Sequence, residues 1–199
     1  MGWARAAALV LVALACTWLG GCATTGTVEG RVSVPGKSNS SAEAVITAAR
    51  SDTTTAAHAA NQLATLVLDD GRFAPDILLI DPGTTVTFEN RDHIFHNAFS
   101  ISPAQKFDVG SIPPGQARKM KFNHPGIVQV YCELHPRELA TIIVAPARSR
   151  TRPMPDGTYM LGGLSAGTYL VRAWHPDFGS RSKRVAVAAR EHVTVNFRY

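Results

Sequence analysis

Short runs of alternating hydrophobic and polar residues follow one another along the chain, separated by glycine, proline and asparagine. The run Thr84–Asn90 is the clearest, since Val86 and Phe88 face one way and the intervening threonines face the other. Helix-forming stretches are sparse between these runs. The pattern therefore predicts an all-β protein, a sandwich or barrel of short strands. The predicted strands are 27–34, 44–48, 77–80, 84–90, 117–122, 127–132, 140–145, 157–161, 167–174, 182–188 and 193–197.

The first residues are typical of an export signal. An apolar run after Arg5 is too short to cross a bilayer, and it ends in a Leu-Gly-Gly-Cys sequence at Cys22 that resembles a bacterial lipobox. We expect residues 1–21 to be removed and Cys22 to carry the lipid that anchors the chain. The following Ala23 favours the periplasmic side of the outer membrane. Ordinary secretion with cleavage near Ala23 and a retained transmembrane anchor are the alternatives.

Composition excludes several classes of protein. With 45% hydrophobic and 18% charged residues among 199, the chain is neither disordered nor a polytopic membrane protein. The 20 Lys and Arg against 15 Asp and Glu give a net charge of +5, but the basic residues are scattered. We therefore expect no nucleic-acid partner. Segment 50–61 is rich in Ser, Thr and Ala and is predicted to be a flexible surface loop that carries His58.

Cys132 is the thiol on which the candidate chemistry depends. Cys16 lies in the signal and Cys22 would be acylated, so Cys132 has no disulfide partner in an oxidising compartment. Such a thiol is a liability unless it is buried or binds a metal. Cys132 and His135 can reach one metal across a tight turn, and His96 can add a second imidazole. Two imidazoles and one thiolate, with a weak axial position, form a blue-copper electron-transfer site.

Five segments in a fixed order carry a family pattern. They are PGTTVTFEN at 82–90, HNAFS at 96–100, FDVG at 107–110, PG at 125–126 and YCELHP at 131–136. With these motifs, the stretch 67–144 resembles a cupredoxin of the plastocyanin, pseudoazurin and amicyanin type. It is most similar to the plastocyanin-like methylamine-utilisation proteins of bacteria. The resemblance implies a Greek-key β-sandwich that binds copper through His96, Cys132 and His135.

The resemblance also implies roles for two neighbours of these ligands. Asn97 would link the two ligand loops by hydrogen bonds behind the thiolate, and it favours His96 over His93 as the ligand. Glu138 stands where amicyanin-like proteins have an axial Met. It would either ligate through its carboxylate or turn to solvent and leave three ligands, with the Phe95 carbonyl approaching. A ligating carboxylate would lower the reduction potential, and zinc would also suit such a donor set.

A second resemblance concerns the C-terminal part. The segments PDGTY at 155–159 and GLSAGTYLV at 163–171 resemble the carboxypeptidase regulatory-like domain, a small Ig-like sandwich whose core Tyr159, Tyr169 and Trp174 would fill. Such modules begin with strands like 27–34 and 44–48. Either the Ig-like sandwich is split by an inserted copper domain, or residues 27–48 open the cupredoxin barrel. The predicted divisions are signal 1–21, N-terminal strands and loop 22–62, cupredoxin domain 63–147 and Ig-type module 148–199.

The expected function is that of a lipid-anchored periplasmic copper protein that shuttles single electrons. His135, beside Pro136, would be the port, and the family name suggests a dehydrogenase or a c-type cytochrome as redox partner. The spacing shows no acid and base pair, catalytic zinc trio or Ser-His-Asp arrangement, so we expect a carrier and not an enzyme. The alternatives are a copper-binding or trafficking protein without redox cycling, and a metal-free adhesion or scaffold module in which Cys132 is merely buried.

Overall fold

The computed structural model describes residues 25–35, 40–51, 62–146 and 149–199. Within these ranges the chain is almost entirely β-strand, with one short 3-10 turn at Ser40–Glu43, so the predicted all-β class is confirmed. The described residues include no helix long and apolar enough to cross a bilayer. The predicted signal, Cys22 and most of loop 50–61, including His58, lie outside the described residues.

The strands divide into four sheets. Their bounds are β1 Thr25–Ser33, β2 Val45–Arg50, β3 Leu63–Asp69, β4 Arg72–Ala74, β5 Ile77–Ile80, β6 Thr84–Asn90, β7 His96–Ser100, β8 Phe107–Ile112, β9 Ala117–Phe122, β10 Gly126–Tyr131, β11 Leu139–Val144, β12 Arg150–Thr151, β13 Thr158–Ser165, β14 Gly167–His175, β15 Gly179–Val187, β16 His192–Thr194 and β17 Phe197–Arg198.

Two of the sheets form a first sandwich. One has the strand order β4-β3-β6-β9 and the other β5-β11-β10-β7-β8. Val86 and Phe88 of β6 meet Val128 and Val130 of β10 in a core from which water is excluded. The predicted alternation of 84–90 is confirmed, because every second side chain of β6 is buried. Burial of these faces is the main stabilising contribution to the sandwich.

The other two sheets form a second sandwich, and its strands come from both ends of the chain. One sheet has the order β13-β1-β16, with β17 also paired to β1, and the other has the order β12-β2-β14-β15. Tyr159 and Tyr169 lie in its core, as expected. Among the described strands, neither β1 nor β2 pairs with any strand between residues 63 and 144. β1 and β2 pair instead with strands that follow residue 149, and the insertion arrangement requires this pairing.

A third apolar cluster joins the two sandwiches. Trp174 and Val45 pack against Ile143, with Ile77, Leu79 and Ile127 around them. The expectation that Trp174 fills the core of the second sandwich is wrong. Val171 and Ala173 of β14 point into that core, and successive side chains of a strand face opposite sides, so Trp174 points outward.

Candidate metal centre

The site lies where neighbouring strands end. β7 begins at His96, and β10 ends beside Cys132 with Tyr131 paired to Phe99 of β7. The chain then turns before β11, and the amide of Glu138 donates to the carbonyl of His135 at 3.0 Å. Strand pairing and this tight turn therefore bring four separate side chains to one end of the first sandwich.

The four predicted ligand residues converge. Candidate ligand atoms of His96, Cys132, His135 and Glu138 all lie within 4.8 Å of one another. The Glu138 carboxylate lies 2.9 Å from Nδ1 of His96 and 3.1 Å from Nδ1 of His135. Sγ of Cys132 lies 3.7 Å from the same His135 nitrogen. Each imidazole thus directs Nδ1 towards the centre of the group.

Burial separates one member of the group from the rest. His96 is fully buried, and Cys132 and Glu138 are 4% and 1% exposed, whereas the His135 side chain is 35% exposed. Oε1 of Glu138 is buried and has no hydrogen-bond partner among the described residues, although Nδ1 of His135 is near. Burying a carboxylate oxygen without a partner is costly. A cation bound at this point would supply the missing interaction, so the residues fit a metal.

The protonation of Cys132 follows from its surroundings. Burial raises the pKa of the Cys132 thiol, and the neighbouring Glu138 carboxyl raises it further. Hydrogen bonds from the backbone amides of Asn97, Leu134 and His135 act in the opposite direction but do not cancel the effect of burial. The thiol is therefore protonated at neutral pH without a metal, and a metal that binds there must displace the proton.

Asn97 lies between the two segments that carry the ligand residues. Its Oδ1 accepts a hydrogen bond from the Glu133 amide at 2.8 Å, and its Nδ2 donates to the Glu133 carboxylate at 3.4 Å. The Asn97 side chain is buried, whereas Glu133 is exposed. The two hydrogen bonds couple the start of β7 to the turn that follows Cys132.

Replacing Asn97 with alanine should lower the free energy of unfolding by about 1 kcal/mol, because the Glu133 amide loses its acceptor. Metal affinity should fall with it, since the two ligand segments become uncoupled. Chemical denaturation and a chelator competition assay measure the two effects. Asn196→Ala is the control, because Asn196 accepts from the Arg31 amide at 2.8 Å in the second sandwich. A variant of Asn97 that keeps full metal affinity would contradict this role.

Asp92 is a neighbour of the site that the sequence analysis did not single out. Its Oδ2 lies 3.0 Å from Nε2 of His96, on the opposite side of the ring from Glu138. Burial raises the pKa of Asp92, but hydrogen bonds from the Gly71 and Asp70 amides and from His96 outweigh this, and the pKa falls below its usual range. The sequence signal that could have identified Asp92 is its position four residues before the candidate ligand His96.

Other candidate residues lie elsewhere. His93 is exposed and outside the group of four, and His124 is also exposed. His175 is fully buried near Glu43 and Asp177, a second group with metal-compatible side chains. Nδ1 of His175 accepts a hydrogen bond from the Asp177 amide at 3.1 Å. A neutral imidazole then carries its proton on Nε2, which cannot bind a metal in that state.

Comparison with known proteins finds similarity to solved structures. No family model and no curated protein matches the chain. A purple cupredoxin from Nitrosopumilus maritimus is 28% identical over 41% of this chain and 99% of its own, with a TM-score of 0.38. A Cu(I) form of an amicyanin mutant is 20% identical over 49% of this chain and 98% of its own, with a TM-score of 0.40.

An oxidised amicyanin mutant is a further similar structure, 18% identical over 51% of this chain and 98% of its own, with a TM-score of 0.38. These similar solved structures are all cupredoxins, and each aligns with about half of the chain or less. With TM-scores below 0.5, such likenesses do not by themselves assign a function.

Proposed function

We propose that the chain is a copper protein of the cupredoxin type, an electron carrier and not an enzyme. His96, Cys132 and His135 would hold the ion, and Glu138 would be the fourth ligand. The observation that carries the proposal is the convergence of two imidazole nitrogens, a thiol and an unpartnered carboxylate oxygen at one buried point. A set of two imidazoles and a thiolate is characteristic of blue-copper sites.

The surroundings suit single-electron transfer. Copper bound there would supply a centre that changes its charge by one electron. The protein holds His96 and Cys132 at the ends of paired strands, so these ligands move little when the charge changes. Their burial excludes water from the ion, whereas His135 reaches the surface and offers a path for the electron.

The surface around His135 suits a docked partner. Leu134 lies beside it, and Ile94 and Phe95 directly precede His96; each of these three side chains is about half exposed. Exposed apolar side chains grouped at one place are typical of an interaction site. We propose a redox protein as the partner, a c-type cytochrome or a dehydrogenase, which would dock against these side chains.

Glu138 is proposed as a ligand because of where its side chain points. It is almost fully buried and faces both imidazoles, which does not agree with a carboxylate turned to solvent. Its two oxygens lie 2.9 and 3.1 Å from the two Nδ1 atoms, so a cation between the imidazoles would also meet the carboxylate. The site would therefore bind through nitrogen, sulfur and oxygen.

The location of the protein is part of the same proposal. We propose a lipid anchor at Cys22 on the periplasmic side of the outer membrane. The Leu-Gly-Gly-Cys sequence and the preceding apolar run support it. In that compartment the metal would also protect the single thiol of Cys132 from oxidation.

The test is a copper titration of the purified full-length protein. We expect one equivalent of Cu(II) to produce an intense thiolate-to-copper absorption band and a matching electron paramagnetic resonance signal. Both should vanish with ascorbate and return on oxidation. Copper that binds without reversible bleaching would favour trafficking over electron transfer. If the protein does not bind copper, the metal-free scaffold interpretation takes the place of the proposal. If the purified protein contains tightly bound zinc that copper does not displace, zinc is the native metal.

A further inference from the structure

The buried ring of His96 lies between two carboxylates. Nδ1 faces Glu138 at 2.9 Å, and Nε2 faces Asp92 at 3.0 Å. A neutral imidazole carries one proton, and only the nitrogen without it can bind a metal. The identity of the metal-binding nitrogen therefore depends on which carboxylate accepts the ring proton.

The structure holds Asp92 as an acceptor. Its Oδ1 accepts from the Asp70 amide at 2.8 Å and its Oδ2 from the Gly71 amide at 3.1 Å. Backbone amides can only donate, so they stabilise a carboxylate and not a protonated acid at this position. Because Oδ2 is thereby kept as an acceptor, the hydrogen bond with Nε2 of His96 must be donated by the ring.

The two amides come from the turn between β3 and β4. These strands belong to the sheet β4-β3-β6-β9, and the strands beside the ligand residues belong to the opposite sheet of the first sandwich. Asp70 and Gly71 have φ values of 50° and 67°, and an Asp-Gly pair with positive φ is typical of a tight hairpin turn. This turn directs both amides at Asp92. The position of the carboxylate is thus set by a segment that contributes no ligand residue.

The loop that carries Asp92 is anchored independently. Asn90 is fully buried, and its Nδ2 donates to the carbonyls of Ile94 and Ile112, both at 2.8 Å. Its Oδ1 accepts from the Asp92 amide at 2.9 Å. Both ends of the loop between β6 and β7 are therefore held, and Asp92 has little freedom to leave His96.

We propose that Asp92 is a positioning residue for the metal site: it accepts the Nε2 proton of His96 and thereby reserves Nδ1 for the ion. The inference rests on the proposed metal site and adds the residue that selects the ligand atom. Carboxylates that accept from ligand histidines fix the tautomer and the ring orientation, and their loss typically costs about 10–100-fold in metal affinity. The alternative is that Asp92 only caps the turn between β3 and β4.

The first test is the tautomer of His96 in the full-length wild-type protein loaded with Zn²⁺, which is diamagnetic. Nitrogen-15 NMR should show His96 with its proton on Nε2 and the metal on Nδ1. A proton on Nδ1 would overturn the proposal without any variant. If copper binds but is not reversibly reduced and oxidised, the proposed electron-carrier function fails and the inference about Asp92 stands. If neither zinc nor copper binds, the proposed metal site and the inference about Asp92 both fail.

The second test is Asp92→Asn, which removes the charge but keeps the shape. We expect copper affinity to fall by about 10–100-fold in a competition assay, and His96 to show mixed tautomers in the zinc form. Asp108→Asn is the matched control, because Asp108 accepts from the Gly110 amide at 2.8 Å at an exposed position of β8. Wild-type copper affinity and an unchanged Nε2 proton in Asp92→Asn would show that Asp92 only caps the turn. If the variant does not fold, the wild-type NMR measurement decides.

Discussion

Cys132→Ser should abolish the intense thiolate-to-copper absorption of the copper-loaded protein. A serine hydroxyl is a hard donor that stays protonated at neutral pH, so neither the charge-transfer band nor the short metal–sulfur bond can form. The loss of copper affinity should exceed the roughly 100-fold expected for a carboxylate outside the ligand set. Absorption spectroscopy and competition with a chelator measure the two effects.

The pH dependence of binding gives a second signature of the same thiol. Because burial raises the pKa of Cys132, the thiol of the metal-free protein is protonated at neutral pH, and binding releases that proton. Copper affinity of the wild type should therefore rise by about tenfold per pH unit between pH 7 and 8.5. The serine variant should lose this slope, because it has no proton to release there.

Cys22→Ser is the matched control for this substitution. It replaces the cysteine that we propose to carry the lipid and that lies outside the described residues, and it should leave both the band and the slope unchanged. A Cys132→Ser protein that kept the band would show that another donor binds the copper. In that case the proposed electron carrier would lose its central ligand.

The sequence predicted several strands with the bounds that the structure shows. The predicted strands 77–80, 84–90 and 117–122 agree with the structure at both ends. β7 was missed because four of its five side chains are buried, and the alternation is lost where His96 and Asn97 both turn inward. A strand that builds a site therefore lacks the pattern that identifies ordinary strands.

Three of the converging side chains were found because they lie in the short motifs HNAFS and YCELHP, and Glu138 because it stands where amicyanin-like proteins have an axial Met. Asp92 was not found, because its role depends on a turn at Asp70 and Gly71 that is distant in sequence and lies in the other sheet. The spacing of four residues between Asp92 and His96 was visible in the sequence, but nothing in the sequence indicates that this turn holds the carboxylate. Trp174 is the opposite case: we predicted it inside the core of the second sandwich, although strand alternation relative to Tyr169 would have placed it outside.

Glu138→Met should raise the reduction potential of the bound copper. A carboxylate is a hard anionic donor that stabilises Cu(II), whereas a thioether is soft and neutral and favours Cu(I). For a one-electron couple, each tenfold change in the ratio of the two affinities shifts the potential by about 59 mV. We expect a rise of at least about one such step, measured by redox titration, together with a stronger blue absorption.

Glu138→Gln and Glu133→Gln separate coordination from charge. Glu138→Gln removes the anion at the position that faces both imidazoles, so it should also raise the potential. Glu133→Gln removes the same charge from a side chain that contacts Asn97 and not the imidazoles, so its effect should be much smaller. A potential and spectrum unchanged by Glu138→Met would show that the carboxylate does not touch the metal.

The metal-free form of Glu138→Met offers an independent measurement. Replacing a buried charge by an apolar side chain of similar volume is often neutral or stabilising. Because Oε1 of Glu138 has no hydrogen-bond partner among the described residues, the metal-free variant should be at least as stable as the wild type. Copper should then stabilise the wild type more than the variant, since in the wild type it also compensates the buried carboxylate. A variant clearly less stable than the wild type without metal would instead mean that Glu138 holds the two imidazoles in place by itself.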